Sequence, residues 1–261
     1  MADFDDLVFD ERFARFSPAA RNRNLPLWLL RKRFREHRVA TRWFDHVTVS
    51  TDNLKDHVRR LFPGMAVTVL HNAVHWAWRN QGIPTPRVDR RKTVAYLPGT
   101  RSHDRDFATI AGPLEHFLHA HPEVRLRVTG PLRFRLKVPD SRIFRQDRVP
   151  FPAYARQFAD LWVNLAPLES TPFNASKSAL KALEAGYWGI PTICSPNADF
   201  ARFASAGAVQ AFDAGDWLTQ LERLLDDREY AGVTARLPER TLALGDVEHQ
   251  AQVFLAEVAR R

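Results

Sequence analysis

The stretch from residue 163 to 196, VNLAPLESTPFNASKSALKALEAGYWGIPTICSP, decides the fold. An apolar run from Leu161 to Leu168 has the length and composition of a buried strand. A loop with Pro167, Glu169, Ser170, Thr171 and Pro172 follows, and Asn174 stands where a helix N-cap belongs. The spacing predicts a helix from there to about Gly186. Gly189 and Pro191 then lead into a second apolar burst, Ile190 to Cys194, read as another strand. Strand, helix and strand in this order form a βαβ unit, so the chain is read as α/β with a parallel sheet.

At about 100° per residue, Ala179, Leu180, Ala182, Leu183 and Tyr187 share one side of that helix, and Lys177, Lys181 and Glu184 share the other. The polar stripe has two readings. One is a solvated face with a Lys181–Glu184 pair at i,i+3 spacing, contributing a few tenths of a kcal/mol. The other is a ligand site, where helix N–H groups and Lys177 attract a phosphate and Glu184, two turns on, accepts from sugar hydroxyls.

The pattern PLE-x3-FN-x2-KS-x2-K-x2-EAG-x2-G-x-PT-x2-S, with the segment from Tyr96 to Phe107, resembles the donor-binding domain of retaining GT-B glycosyltransferases of the family-4 type. The resemblance covers roughly Phe44 to Phe203. It implies a Rossmann-like donor domain whose substrate is a nucleotide-diphosphate sugar, with no cofactor and no metal. It also implies transfer of a hexose-type sugar with retention of configuration. The family helix carries two glutamates eight positions apart, one near the donor sugar and one on the ribose hydroxyls. Glu184 matches the ribose position, and the other falls at or near Ser176, where this chain has Ala175 and Ser176. No catalytic side chain is singled out.

The second part of the pattern is strand Thr93 to Leu97, then Pro98-Gly99-Thr100-Arg101-Ser102-His103-Asp104-Arg105-Asp106, then a helix to about residue 120 that Gly112 and Pro113 kink or split. A glycine turn between strand and helix places N–H groups and cations at the carboxyl end of a strand, where α/β folds bind ligands. The resemblance assigns this loop to the donor diphosphate. The candidates there are Gly99, Thr100, Arg101, His103 and Arg105, joined by Asn174, Lys177 and Ser178 from the decisive stretch. His103 and Arg105 also read as cap residues pairing with Asp104 and Asp106. In relatives the base inserts near residues 131–150 and the Val149-Pro150-Phe151 turn.

With 261 residues and 45% hydrophobic content the chain is globular, with one large or two smaller domains. Its single cysteine, Cys194, excludes an internal disulfide framework and fits a reducing compartment. No leader or apolar stretch of about 20 residues stands out, which predicts a soluble or peripheral cytoplasmic protein. A formal charge of +8 and a pI near 10.1 favour anionic partners. Without zinc-finger spacing or an RNA-binding aromatic signature, nucleic acid is set aside.

Residues 25–44, LPLWLLRKRFREHRVATRWF, form a basic amphipathic helix. It either packs Leu29, Leu30 and Phe34 on the core with its arginines in water, or adsorbs to anionic lipid on the inner face of a membrane. Upstream, Asp3, Asp5 and Asp6 read as a polar start, and relatives carry a similar run midway through the acceptor domain. Residues 1–85 are therefore expected to be a partial acceptor-side domain, 86–240 the donor domain, and 241–261 a helix returning to the first domain. The implied acceptor is a glycan or a lipid-linked glycan of cell-surface polysaccharide synthesis, and the rest of the acceptor half is expected either on another polypeptide or encoded upstream of Met1. The alternative is a non-catalytic nucleotide-sugar-binding or scaffolding module.

Overall fold

The computed structural model describes residues 1–82, 84, 92–100 and 103–259. It is an α/β protein with two parallel sheets. In the smaller, β1 (Ala2–Phe4), β2 (His46–Val49) and β3 (Ala66–Val69) lie in that order. The larger contains β4 (Thr93–Tyr96), β5 (Arg125–Thr129), β6 (Ile143–Gln146), β7 (Val163–Ala166), β8 (Thr192–Cys194) and β9 (Ala208–Gln210). Their spatial order is β6-β5-β4-β7-β8-β9, the doubly wound arrangement in which the chain turns back between its first and fourth strands.

Alternation along the central strand builds two cores, one on each face. Val94 and Tyr96 pack with Phe107, Leu114, Phe117 and Leu126, whereas Ala95 and Leu97 pack with Leu183, Tyr187, Ile190 and Phe203. Full burial of such side chains contributes about 1.5–3 kcal/mol each. A third core joins Leu7, Phe9, Leu30, Phe34, Val47 and Leu54 under the smaller sheet. The helix Asp52–Leu61 is capped by Thr51, whose hydroxyl accepts from the Leu54 N–H at 3.2 Å.

Several local expectations change. The helix after β7 spans Leu180–Tyr187, six residues later than predicted, and Asn174 instead opens a short 3-10 turn, Asn174–Ser176. Asn174 does not cap the helix because it lies six residues before Leu180; its Nδ2 donates to Asp106 and to the Glu169 carbonyl. The first helical turn is capped from elsewhere, with the Ala179 N–H donating to Asp199 Oδ2 at 2.6 Å. The predicted 106–120 helix is two, Asp104–Ala108 and Ala111–Ala120. Pro113 lies in the first turn of the second, where its missing N–H costs nothing. The acidic run at the chain start follows a strand, β1, which pairs in parallel with β2. The final helix, Val247–Ala259, has no buried residue; Arg79 pairs with Asp246 and Glu248 at its start. No described helix is long and apolar enough to cross a membrane.

Candidate functional site

The carboxyl ends of β4 and β7, where the strand order reverses, open onto a cavity of about 410 Å³. Its floor comes from Leu97, Pro98 and Gly99 after β4. One wall is the extended Lys177-Ser178 segment and the 180–187 helix, and the other is Asp5 and Asp6 from the end of β1. Gly130, after β5, keeps the floor in place: its φ is +123° and an added Cβ would meet the Pro98 carbonyl oxygen at 2.0 Å.

Glu184 and Lys181 face this cavity rather than bulk water, so the polar stripe is not a solvated face. Burial pushes the Glu184 carboxyl up to about 7, although Lys181 and a hydrogen bond from Tyr154 oppose the shift. The Tyr154 hydroxyl donates to Glu184 Oε2 at 3.1 Å, which fixes one carboxylate oxygen and leaves the other for a ligand. Burial likewise lowers the Lys181 ammonium, with Glu184 acting against it. Such a carboxylate, held at one oxygen inside a cavity, suits vicinal hydroxyls that each donate a hydrogen bond.

His103 lines the floor with Nδ1 2.9 Å from Asp106 Oδ2, and burial lowers its pKa. A neutral ring donating from Nδ1 offers an Nε2 lone pair, which accepts from a hydroxyl; contact with a phosphate oxygen requires a further proton. Asp106 is buried and also accepts from the Glu169 N–H at 2.8 Å and Asn174 Nδ2 at 3.0 Å, so one carboxylate organises both loops.

Polar contacts from the smaller sheet close the other side. Lys177 Nζ lies 3.3 Å from Asp6 Oδ1, and Asn72 Nδ2 donates to both Asp5 Oδ1 (3.0 Å) and Ser178 Oγ (2.8 Å). The Thr51 hydroxyl donates to the Ser176 carbonyl, and Ser176 Oγ donates to Asn53 Oδ1, each at 3.0 Å. Glu169 bridges Arg21 and Arg105, and these partners hold its carboxyl below the ordinary value.

Of the residues expected from sequence, Gly99, His103, Lys177, Ser178 and Glu184 line one cavity. Thr100 is exposed and is not among its lining residues. Arg105 pairs with Glu169 and Asn174 is buried in the Asp106 network, and neither is among the residues lining the cavity. Arg101 lies outside the described residues. The sequence reading took Asp5 and Asp6 for a polar chain start, did not name Tyr154, and set Lys181 on a possible solvent face. An acidic pair ending a short apolar segment, matched by polar residues ending HVTVS and AVTVLHN, is the signal that finds Asp5 and Asp6. No pattern marks Tyr154. Val149 and Phe151, in the turn near which relatives insert the base, line the cavity.

No protein-family model and no curated protein matches the sequence. Solved structures do. HepE (Alr3699) of Anabaena, in complex with UDP and glucose, aligns with a TM-score of 0.68 at 11% identity over 99% of this chain and 70% of its own. The fold is that of the GT-B glycosyltransferases. Sucrose-phosphate synthase from Thermosynechococcus elongatus gives 0.67 at 16% identity, over 99% of this chain and 66% of its own. TarM gives 0.62 at 13% identity, and the match spans 83% of this chain but only 44% of TarM.

Proposed function

We propose that the cavity binds a nucleotide-diphosphate sugar and that the protein transfers its sugar, with retention of configuration, to a glycan or lipid-linked acceptor in cell-surface polysaccharide synthesis. The observation that carries this reading is the placement of Glu184 and Lys177 on one cavity at the switch point of a doubly wound sheet. Glu184 receives the ribose hydroxyls. Lys177, Ser178 and the N–H groups around Gly99 hold the diphosphate, with Arg101 as a further candidate from the β4 loop. Val149 and Phe151 flank the base. Catalysis is electrostatic: cations and backbone donors stabilise the departing diphosphate without a metal or cofactor. HepE, solved with UDP and glucose, is consistent with that choice of ligand.

Calorimetry with uridine, guanosine and thymidine diphosphates tests the site. At least one is expected to bind, with affinity falling at least tenfold, about 1.4 kcal/mol, in Glu184→Ala. Unchanged affinity in a folded Glu184→Ala protein refutes the assignment.

A second reading, a nucleotide-sugar-binding module without turnover, rests on Ser176. It stands where the resemblance expects the sugar-contacting glutamate, and its hydroxyl is turned to Asn53. Donor hydrolysis and transfer, assayed alone and with co-purified proteins, separate the two and show whether a partner chain completes the acceptor side. Binding without turnover in every combination favours the module.

The helix Leu27–Thr41 supports a peripheral place on the inner membrane face. It buries Leu30 and Phe34 but leaves Trp28 69% exposed; Trp43, just beyond its end, is 85% exposed, and Arg31, Arg35 and Arg42 are exposed as well. Each basic residue near an anionic surface contributes about 1 kcal/mol, and interfacial tryptophans add to it.

A further inference from the structure

We propose that Asp6 is a placeholder for the donor's diphosphate: its carboxylate occupies Lys177 in the donor-free cleft and gives up that cation when the donor enters. This inference rests on the donor-site reading above and adds a residue from the opposite sheet to the determinants of donor affinity.

Three observations support it. Lys177 is the cation at the start of the helix-bearing wall, only 19% exposed, and Asp6 Oδ1 lies 3.3 Å from its Nζ. Asp6 arrives from the end of β1, on the smaller sheet, so the pair crosses the cleft that a ligand enters. Both residues line the cavity, so a phosphate that reaches Lys177 displaces this carboxylate or lies against it. Two anions that close repel each other strongly in a partly desolvated space. Asp5 is held differently, because Asn72 Nδ2 ties it to Ser178. Asp6, 46% exposed, has room to swing away.

The exchange makes the ion pair a competitor of the ligand. Removing it leaves Lys177 ready for phosphate, so an isosteric neutral side chain tightens binding. The same charge would also repel a phosphate through space without any exchange. The two origins separate in a double-mutant cycle, since only an exchange depends on Lys177.

The experiment is isothermal titration of the full chain with uridine diphosphate at low salt, using wild type, Asp6→Asn, Lys177→Met and the double variant, each checked by circular dichroism. Partly exposed ion pairs set the scale: Asp6→Asn is expected to bind roughly two- to fivefold more tightly than wild type. Lys177→Met is expected to bind more weakly, and Asp6→Asn is expected to give no gain in that background. Weaker or unchanged binding by Asp6→Asn overturns the proposal while leaving the donor site standing. An equal gain with and without Lys177 also overturns it, assigning the effect to plain repulsion. No binding by any of the four proteins, repeated with guanosine and thymidine diphosphates, overturns the donor-site reading and this proposal together.

Discussion

Glu184 ties the chemistry of the cavity to pH. Burial raises its carboxyl from the ordinary 4.5 to about 7, so between those values the folded chain keeps a proton that the unfolded chain has already lost. The unfolded state therefore binds fewer protons there, and this group's contribution to stability falls as pH rises from about 4.5 to about 7. Ligand binding runs the other way. In the proposed donor site an ionised Glu184 would accept from both ribose hydroxyls, so affinity for uridine diphosphate glucose, whose phosphates do not titrate in this range, is expected to rise between pH 6 and pH 8. Glu184→Gln should abolish the rise. His103 has a lowered pKa, and protonating it at acid pH would favour phosphate, the opposite sign. Tyr154→Phe removes a hydrogen bond that lowers the Glu184 pKa, so the midpoint of the affinity profile should move to higher pH. A profile unaltered by either substitution would detach Glu184 from the ligand.

At the scale of elements, the site depends on loops held by a few buried groups. Asp106 receives His103, the Glu169 N–H and Asn174, and Asp106→Ala would strand these donors at a cost of about 3 kcal/mol, read as a lower denaturation midpoint. Gly130→Ala places a Cβ against the Pro98 carbonyl in a backbone conformation that suits glycine. The expected loss is about 1–3 kcal/mol, together with weaker nucleotide binding, because Pro98 and Gly99 must shift. The same elements show what sequence can convey. The helix face with Lys181 and Glu184 was legible because 3.6-residue periodicity fixes which side chains share a side, whereas Lys177 reaches the same cavity from the extended segment before the helix. The helix start was not, because Asn174 finds its partner 68 residues away and the cap comes from Asp199. β1 escaped notice because three residues become a strand only through pairing with β2. β6 drew no strand reading because it is an edge strand whose Phe144 is 55% exposed, so it lacks the continuous apolar run of a buried strand.

For the molecule as a whole, the two sheets present their carboxyl ends to one cleft, and the contacts across it are polar: Asp6 with Lys177, Asn72 with Ser178, Thr51 and Asn53 with Ser176, and Arg21 with Glu169. Polar pairs of this kind are worth little individually and rearrange at small cost, which suits a cleft that admits a ligand. A ligand bound only by the native cleft stabilises the fold by about 2.7 kcal/mol at a hundredfold excess over its Kd, so a saturating nucleoside diphosphate is expected to raise Tm by roughly 5 °C or more. Nucleosides lacking the diphosphate should not. The exposed basic helix gives a separate expectation: co-sedimentation with vesicles containing phosphatidylglycerol, reduced when Arg31, Arg35 and Arg42 are replaced by Ala and absent with neutral vesicles. Equal binding to both vesicle types would remove the membrane from this account.

The most direct measurement is a crystal structure grown with uridine, guanosine or thymidine diphosphate. The account predicts the ribose hydroxyls within hydrogen-bond distance of Glu184, the β-phosphate at Lys177 beside Gly99, and the Asp6 carboxylate turned away. A nucleotide seated elsewhere, with Glu184 and Lys177 making no contact to it, would contradict the assignment of this cavity.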